Sequence, residues 1–258
     1  MPIDRPWDSK ESPFEYPLPS GEEFLHGQRR RYGQTNPELM RVPFWEYMVR
    51  TKREPFFLRE TYSYDPEPSS DDFARQQSAI WSFCRIGMTT THYGDRFRIS
   101  IGGEHDDWYD PDFLIYNDVV IRDEAGNVWI YGYPKDVFPP TDFHTATLLT
   151  SENWKNRIPD DLVDGIIIIG GLGYEEDREF WRTPVFRLDL RELSIRPLNC
   201  SGDEPGWIYD HTATLISGAR IFVEGGQRLD ENGNFAPNQD EFVFDLTSLR
   251  WTKRPGVG

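Results

Sequence analysis

The stretch His144-Thr145-Ala146-Thr147-Leu148 recurs as His211-Thr212-Ala213-Thr214-Leu215, and each copy leads to a hydrophobic run that ends in paired glycines. The first run is Ile166-Ile167-Ile168-Ile169-Gly170-Gly171 and the second is Ile221-Phe222-Val223-Glu224-Gly225-Gly226. A weaker third copy lies upstream, where Met88-Thr89-Thr90-Thr91 leads to Ile99-Ser100-Ile101-Gly102-Gly103. Recurrence at this scale marks a repeat architecture, in which each unit hides its apolar face against its neighbours.

From Cys84 onward the chain reads as short strands separated by turn signals, four to each repeat. The later strands of the three repeats contain Val119-Val120-Ile121 and Val128-Trp129-Ile130-Tyr131, then Val185-Phe186-Arg187-Leu188 and Ile195, then Glu241-Phe242-Val243-Phe244 and Trp251. One spacing runs through all three. Asp123, Asp189 and Asp245 precede Trp129, Ile195 and Trp251 by six residues each (129−123, 195−189, 251−245). The aspartate is expected to cap the turn after the third strand by bonding backbone two residues on, which sets the large apolar residue on the packed face of the fourth.

These residues resemble kelch repeats over about residues 84–254. In that family a blade opens with small and hydroxyl residues, continues into a hydrophobic strand ending in Gly-Gly, and closes with a Trp-bearing strand. Repeat three is the nearest match; repeat one has Met88 where the others have His, and repeat two has Ile195 where Trp is usual. The runs Ile101–Asp107 and Val137–His144 are also similar to runs in uncharacterised kelch-type proteins, from which no activity transfers. The resemblance implies an all-β, kelch-type β-propeller over residues 81–258 with three recognisable four-stranded blades. Three blades do not normally close a ring. Residues 1–80 therefore either supply an irregular fourth blade or brace an incomplete ring, and a closing strand has to come from the N-terminal side, since few residues follow Trp251.

Residues 1–80 read as a Pro-rich extension with one short helix. Pro2, Pro6, Pro13, Pro17 and Pro19 exclude a regular helix or central strand and suggest an arm anchored by Trp7, Phe14 and Tyr16. Arg29-Arg30-Arg31 reads as a solvated basic run, with a localisation signal as the alternative. Asn36-Pro37 looks like an N-cap and first helical residue, with Leu39, Met40, Phe44, Tyr47 and Met48 at helical spacing; Pro43 interrupts the run and Pro55 ends it. Asp65–Asp72 reads as a loop, and Trp81 as packing beneath the first blade or closing an earlier one.

The 258 residues are 37% hydrophobic and 15% aromatic, enough to fill a core despite a mean hydropathy of -0.66. The net charge of -16 repels nucleic acid and anionic membranes and favours a basic partner. Cys84 and Cys200 make neither a disulfide framework nor a metal site. The aliphatic run Ile166–Ile169 is far short of the roughly 20 residues that span a bilayer. With no secretory signal visible at Met1-Pro2-Ile3-Asp4-Arg5, a cytoplasmic protein is expected.

In a propeller the loops joining strands two and three, and strand four to the next strand one, emerge on one face. Here those loops collect acid and aromatics. The candidate binding residues are Glu104, His105, Asp106, Asp107, Trp108, Tyr109, Asp142, His144, Tyr174, Glu175, Glu176, Trp207, Asp210 and His211. Such a mixture suits cations and protein hot spots. His144 and His211 read first as turn-orienting structural residues, with ligand contact as the alternative. Glu104-His105-Asp106-Asp107 could hold a divalent ion, but no EF-hand or HExxH spacing supports a metal. The Gly pairs precede no helix and are not phosphate loops. The Glu-x3-Asp-x3-His iron spacing of nitrile-specifier kelch enzymes is absent, as is a Gly-x-Ser-x-Gly elbow. No cofactor is expected. The expected function is a non-catalytic protein-binding module for a basic partner, such as an inhibitor or immunity-like protein. The alternatives are a kelch-type isomerase, lyase or hydrolase with a site near Glu104, His105, Asp142 and His144, or a structural protein. Oligomeric state stays open.

Overall fold

The computed structural model describes residues 16–64, 79–106, 113–230 and 232–255. The N-terminal segment holds α1 (Gly21–Gly27), the short strand β1 (Glu38–Leu39), α2 (Pro43–Thr51) and α3 (Pro55–Tyr62). The first repeat runs β2 (Thr89–Tyr93), β3 (Phe97–Ile101), β4 (Glu104–His105), β5 (Leu114–Ile115), β6 (Val119–Asp123) and β7 (Val128–Gly132). The second has β8 (Thr145–Leu149), a one-turn helix at Ser151–Trp154, β9 (Gly165–Ile169), β10 (Val185–Asp189) and β11 (Ile195–Pro197). After β12 (Ser201–Gly202) and β13 (Ile208–Tyr209), the third has β14 (Thr212–Ile216), β15 (Arg220–Glu224), β16 (Gln227–Leu229), β17 (Phe235–Pro237), β18 (Phe242–Asp245) and β19 (Arg250–Lys253).

Each repeat builds one antiparallel four-stranded sheet, in the orders β7-β6-β3-β2, β11-β10-β9-β8 and β19-β18-β15-β14. The hairpin register is the same in all three. Thr89 faces Ile101, Thr145 faces Ile169 and Thr212 faces Glu224, so the first threonine always opposes the residue before Gly-Gly. The first strands lie side by side, β2 by β8 and β8 by β14. The fold is all-β in its repeats, as expected. Among the described residues no helix is long and apolar enough to cross a membrane.

Burial follows the order of the stack. Ile167 and Ile169 face the core shared with the third sheet, and Ile166 and Ile168 face the core shared with the first. The middle sheet is covered on both sides, so its β9 is an unbroken Ile run, as in any strand buried on two faces. In β15 only Ile221 and Val223 are buried, while Arg220 and Glu224 are exposed, so the third sheet is covered on one face. The outer face of the first sheet, through Val120 and Ile130, packs on the N-terminal helices, with Phe24, Phe44, Trp45 and Trp81 in the same core. Trp81 stacks on Trp45 at 5.0 Å and donates to Asp118 Oδ2 at 3.1 Å. The Arg85 guanidinium lies 3.5 Å over the Tyr116 ring and meets Asp118 Oδ1 at 2.5 Å, joining the segment after the helices to the sheet.

The N-terminal expectations need correction. The described part of the extension has three helices rather than one. Residues 38–39 are a strand paired with β7, not the start of a helix. The Asn36 amide instead accepts from Ile195 N at 2.8 Å and donates to Ile195 O at 2.7 Å, a side chain mimicking a strand neighbour. Pro43 and Pro55 open α2 and α3 at the first helical turn, where a missing N–H costs nothing, instead of interrupting and ending one helix. Arg30 is not merely solvated: it donates to the Tyr174 hydroxyl at 3.0 Å. No fourth sheet forms from the described N-terminal residues. Their one strand joins the first sheet, while the third draws β12 from residues 201–202. Trp7, Phe14 and Asp65–Asp72 lie outside the described residues.

The aspartate caps form in two of three repeats as expected. Asp189 Oδ1 accepts from Arg191 N and Glu192 N, and Asp245 Oδ1 from Thr247 N and Ser248 N. Asp123 instead reaches four residues on, to Asn127 N at 2.8 Å, around a turn carrying Gly126 at positive φ. Asp245→Ala is expected to cost about 1 kcal/mol, from the lost bonds to Thr247 and Ser248. A urea unfolding midpoint lowered with unchanged slope would show it.

Candidate functional site

The His-Thr and Gly-Gly motifs meet across neighbouring sheets. Phe143 N donates to Gly87 O at 2.8 Å, and Asp210 N donates to Phe143 O at 2.9 Å. Gly87, Phe143 and Asp210 all sit at positive φ (62°, 50°, 54°), immediately before Met88, His144 and His211. The second glycine of the first two pairs then bonds forward: Gly103 N to Thr141 O at 2.8 Å, and Gly171 N to Ile208 O at 2.9 Å. The histidine completes the joint. His144 Nε2 lies 2.8 Å from Thr89 Oγ1, and His211 Nε2 lies 3.0 Å from Thr145 Oγ1. Both rings are buried, and burial pushes His144 down to about 3 and His211 to about 4. Neither Nδ1 has a hydrogen-bond partner among the described residues. These are neutral histidines joining one repeat to the next, without the second-nitrogen anchor that orients a catalytic imidazole.

The loops beyond the Gly-Gly pairs form one surface with the loops that enter β8 and β14. Ring contacts link Phe143 to Tyr209 at 6.4 Å and Tyr209 to Phe235 at 5.1 Å, and Arg178 lies 5.1 Å over Phe235. Phe113 meets Tyr174 at 6.2 Å. At the rim, Phe180 and Trp181 touch edge to face at 4.6 Å and are 39% and 65% exposed. They occupy the middle of a turn closed by Arg182 N to Glu179 O. That turn is braced from outside. Trp207 N donates to Phe180 O at 3.2 Å, Thr183 Oγ1 donates to Gly206 O at 2.8 Å, and Thr183 N donates to Glu204 Oε2 at 2.9 Å. Glu179 of the turn is exposed, as are Glu175 and Glu176 earlier in the same loop, with Lys135 Nζ 3.4 Å from Glu176 Oε1.

The expected site residues separate into two groups. Asp106, Glu175, Glu176 and Asp210 are exposed. Tyr174 and Trp207 are buried instead: the Tyr174 hydroxyl accepts from Ile115 N at 2.9 Å, and Trp207 Nε1 donates to Leu172 O at 3.0 Å. His105 is buried with Nδ1 2.7 Å from Cys84 O. Asp107, Trp108 and Tyr109 lie outside the described residues. Phe180, Trp181, Tyr209, Phe235 and Arg178 were not among the expected residues. Their signal was aromatic and basic residues inside acidic loops.

Glu104 and Asp142 do converge. Asp142 is wholly buried, its Oδ1 accepting from Gly173 N at 2.8 Å, and its carboxyl interacts with that of Glu104. Burial, and then the Asp142 charge, push Glu104 up to about 8, and burial raises Asp142 as well. The pair therefore keeps one proton at neutral pH. No group of three or more His, Cys, Asp or Glu suited to a metal occurs among the described residues. Burial pushes both cysteines up to about 12, so they stay thiols. A cleft of about 180 Å³ lies among Leu39, Glu46 and Trp129, and one of about 30 Å³ among Pro140, Gly171 and Trp207. Both are smaller than the roughly 300–1,000 Å³ usual for small-molecule sites.

No protein-family model and no curated protein matches the sequence. Among solved structures, one titled "Structure of YjhT" is similar. It matches at 15% identity with a TM-score of 0.42, over 66% of this chain and 50% of that one. The chain thus spans half the length of that structure.

Proposed function

We propose that the three sheets are blades of a kelch-type propeller and that their shared loop face binds a basic protein. The observation that carries this reading is the Phe180–Trp181 pair, exposed on a turn held by neighbouring backbone. An exposed tryptophan with its partner ring already placed is the make-up of a binding hot spot, because little ordering remains to be done on contact. The exposed Glu175, Glu176 and Glu179 of the same loop, and a chain charge of -16, supply attraction for a cationic surface and speed encounter.

Trp181→Ala is expected to weaken the partner complex by a factor of about 30 or more, the size of a hot-spot truncation, with an unchanged melting temperature. Glu175→Lys with Glu176→Lys is expected to slow association and flatten its salt dependence. Partners captured at low salt by the wild-type chain and equally by all these variants would rule the reading out. A small-molecule enzyme is the second reading. It rests on the Glu104–Asp142 pair, one carboxyl protonated beside one ionised, which is an acid and base arrangement. His144 has no part in it, since its Nε2 engages Thr89.

A further inference from the structure

The joint between neighbouring sheets is built twice, and the third sheet carries an unfilled copy of its receiving half. In the filled joints the receiving sheet offers a carbonyl (Gly87, then Phe143), a glycine N–H (Gly103, then Gly171) and a threonine hydroxyl (Thr89, then Thr145). The corresponding groups of the third sheet are Asp210 O, Gly226 N and Thr212 Oγ1. No hydrogen bond among the described residues reaches any of the three. The first glycine of each pair repeats the contrast. A Cβ on Gly102 would lie 2.2 Å from Thr141 O, and one on Gly170 would lie 2.4 Å from Ile208 O. One on Gly225 would meet nothing within 4 Å.

The first sheet carries the opposite half. An incoming sheet supplies a carbonyl three residues before its histidine position and an N–H one residue before it. In the first repeat these are Arg85 O and Gly87 N, and again no partner exists among the described residues. Gly87 already holds the required positive φ of 62°. Beside it Ile86 is 57% exposed, an apolar side chain uncovered at the joint itself. The N-terminal core covers the outer strands of this sheet and reaches Met88, but leaves Thr90 and His92 of β2 exposed.

We propose that two copies of this chain join end to end, the third sheet of each docking on the first sheet of the other, to close a ring of six sheets. The pairing matches donor to acceptor at both positions: Gly226 N with Arg85 O of the second copy, and Gly87 N of the second copy with Asp210 O. Six blades lie within the roughly four to eight that propellers close with, whereas three do not. A two-fold axis makes both joints at once, so the assembly ends at two copies. Met88 takes the histidine position in this joint and cannot bond Thr212 as His144 bonds Thr89. The joint between copies is therefore weaker than the two within each chain, and with -16 on each copy it tightens as salt rises. The proposal rests on reading the sheets as blades, and not on the basic partner.

Sedimentation equilibrium of the full chain tests it, at low salt and at 1 M salt, over about 1 to 100 μM, a range that brackets a weak interface. The expected mass is twice 30.3 kDa at high salt and high concentration. Ile86→Asp and Thr212→Trp, both at exposed positions and both expected to keep the wild-type melting temperature, should each return the mass to 30.3 kDa. Trp181→Ala should leave the dimer intact. A wild-type chain that stays at 30.3 kDa throughout overturns the proposal. So does a dimer that survives both substitutions, or one that Trp181→Ala dissociates. Partner capture by Trp181→Ala reads the loop-face proposal separately, so either can fail alone.

Discussion

Gly170→Ala is expected to destabilise the protein by about 4 kcal/mol, enough to leave it unfolded or aggregated at 37 °C, while Gly225→Ala costs only about 1. The two glycines hold the same place in successive repeats and nearly the same backbone, φ 69° and 66°. The shared cost is that of putting an L-residue in the left-handed region, about 1 to 2 kcal/mol. The difference is what surrounds them. A methyl on Gly170 would sit 2.4 Å from Ile208 O and 2.7 Å from His211 Cε1. Neither neighbour can yield cheaply. Ile208 O accepts the Gly171 N–H across the joint, and the His211 ring is held by Thr145. A methyl on Gly225 meets nothing in the single chain. Thermal unfolding of the two variants, measured side by side where the chain is monomeric, separates backbone strain from steric clash. Equal losses would mean that the joint is softer than its hydrogen bonds imply.

Most of that joint was legible in the sequence as a pattern, and none of it as a mechanism. The twofold His-Thr-Ala-Thr-Leu marked the first strand of two repeats, and the Gly-Gly pairs marked where the second strands end. The partnership between the histidine of one repeat and the threonine of the previous one spans 55 residues for His144 and 66 for His211, beyond any local reading. The joint also accounts for Met88. A histidine there would have no earlier sheet of its own chain to bond, because what precedes it in the chain is helical and covers only the outer strands. The order of the sheets was on the page in another form. Ile166–Ile169 is continuous and Arg220–Glu224 alternates, which is the difference between a strand covered on both faces and one covered on one.

The N-terminal segment misled for a physical reason. Proline is compatible with the first turn of a helix and hostile to its interior, so Pro43 and Pro55 fit either a start or a break. The apolar spacing from Leu39 to Met48 did not distinguish the two. The overlooked local signal was Ser20 followed by Glu23, which forms the capping box of α1, with Ser20 N donating to Glu23 Oε2 at 2.8 Å. The loop face was legible in composition and not in exposure. Tyr174 and Trp207 look like surface anchors in a list of aromatics, yet each spends its polar atom on a backbone partner inside. Trp181 has no such backbone partner among the described residues and turns outward.

Stability is expected to peak near pH 6.5 and to fall on both sides, for two separate reasons in the same structure. His144 and His211 titrate at about 3 and about 4 in the folded chain against 6.5 when unfolded. Below pH 6.5 the unfolded chain takes up protons that the folded chain refuses. Their contribution is whole above that pH and is lost as the pH falls, at up to about 1.4 kcal/mol per pH unit for each ring. Glu104 has the opposite sign. Its folded value of about 8 stands above 4.5, so the folded chain holds a proton that the unfolded chain releases, and stability is lost as the pH rises toward 8. Between pH 4.5 and 6.5 the proton held at Glu104 offsets part of the histidine loss, so stability falls less steeply on acidification than the two rings alone would give. Below 4.5 that offset ends and the loss steepens. Glu104→Gln separates the two effects. It should remove most of the decline between pH 6.5 and 8 and steepen the slope between 6.5 and 4.5, as read from urea unfolding across that range. If the variant keeps the alkaline decline of the wild type, Glu104 and Asp142 do not share a proton in the folded chain. The acid and base reading of that pair would then fall with it.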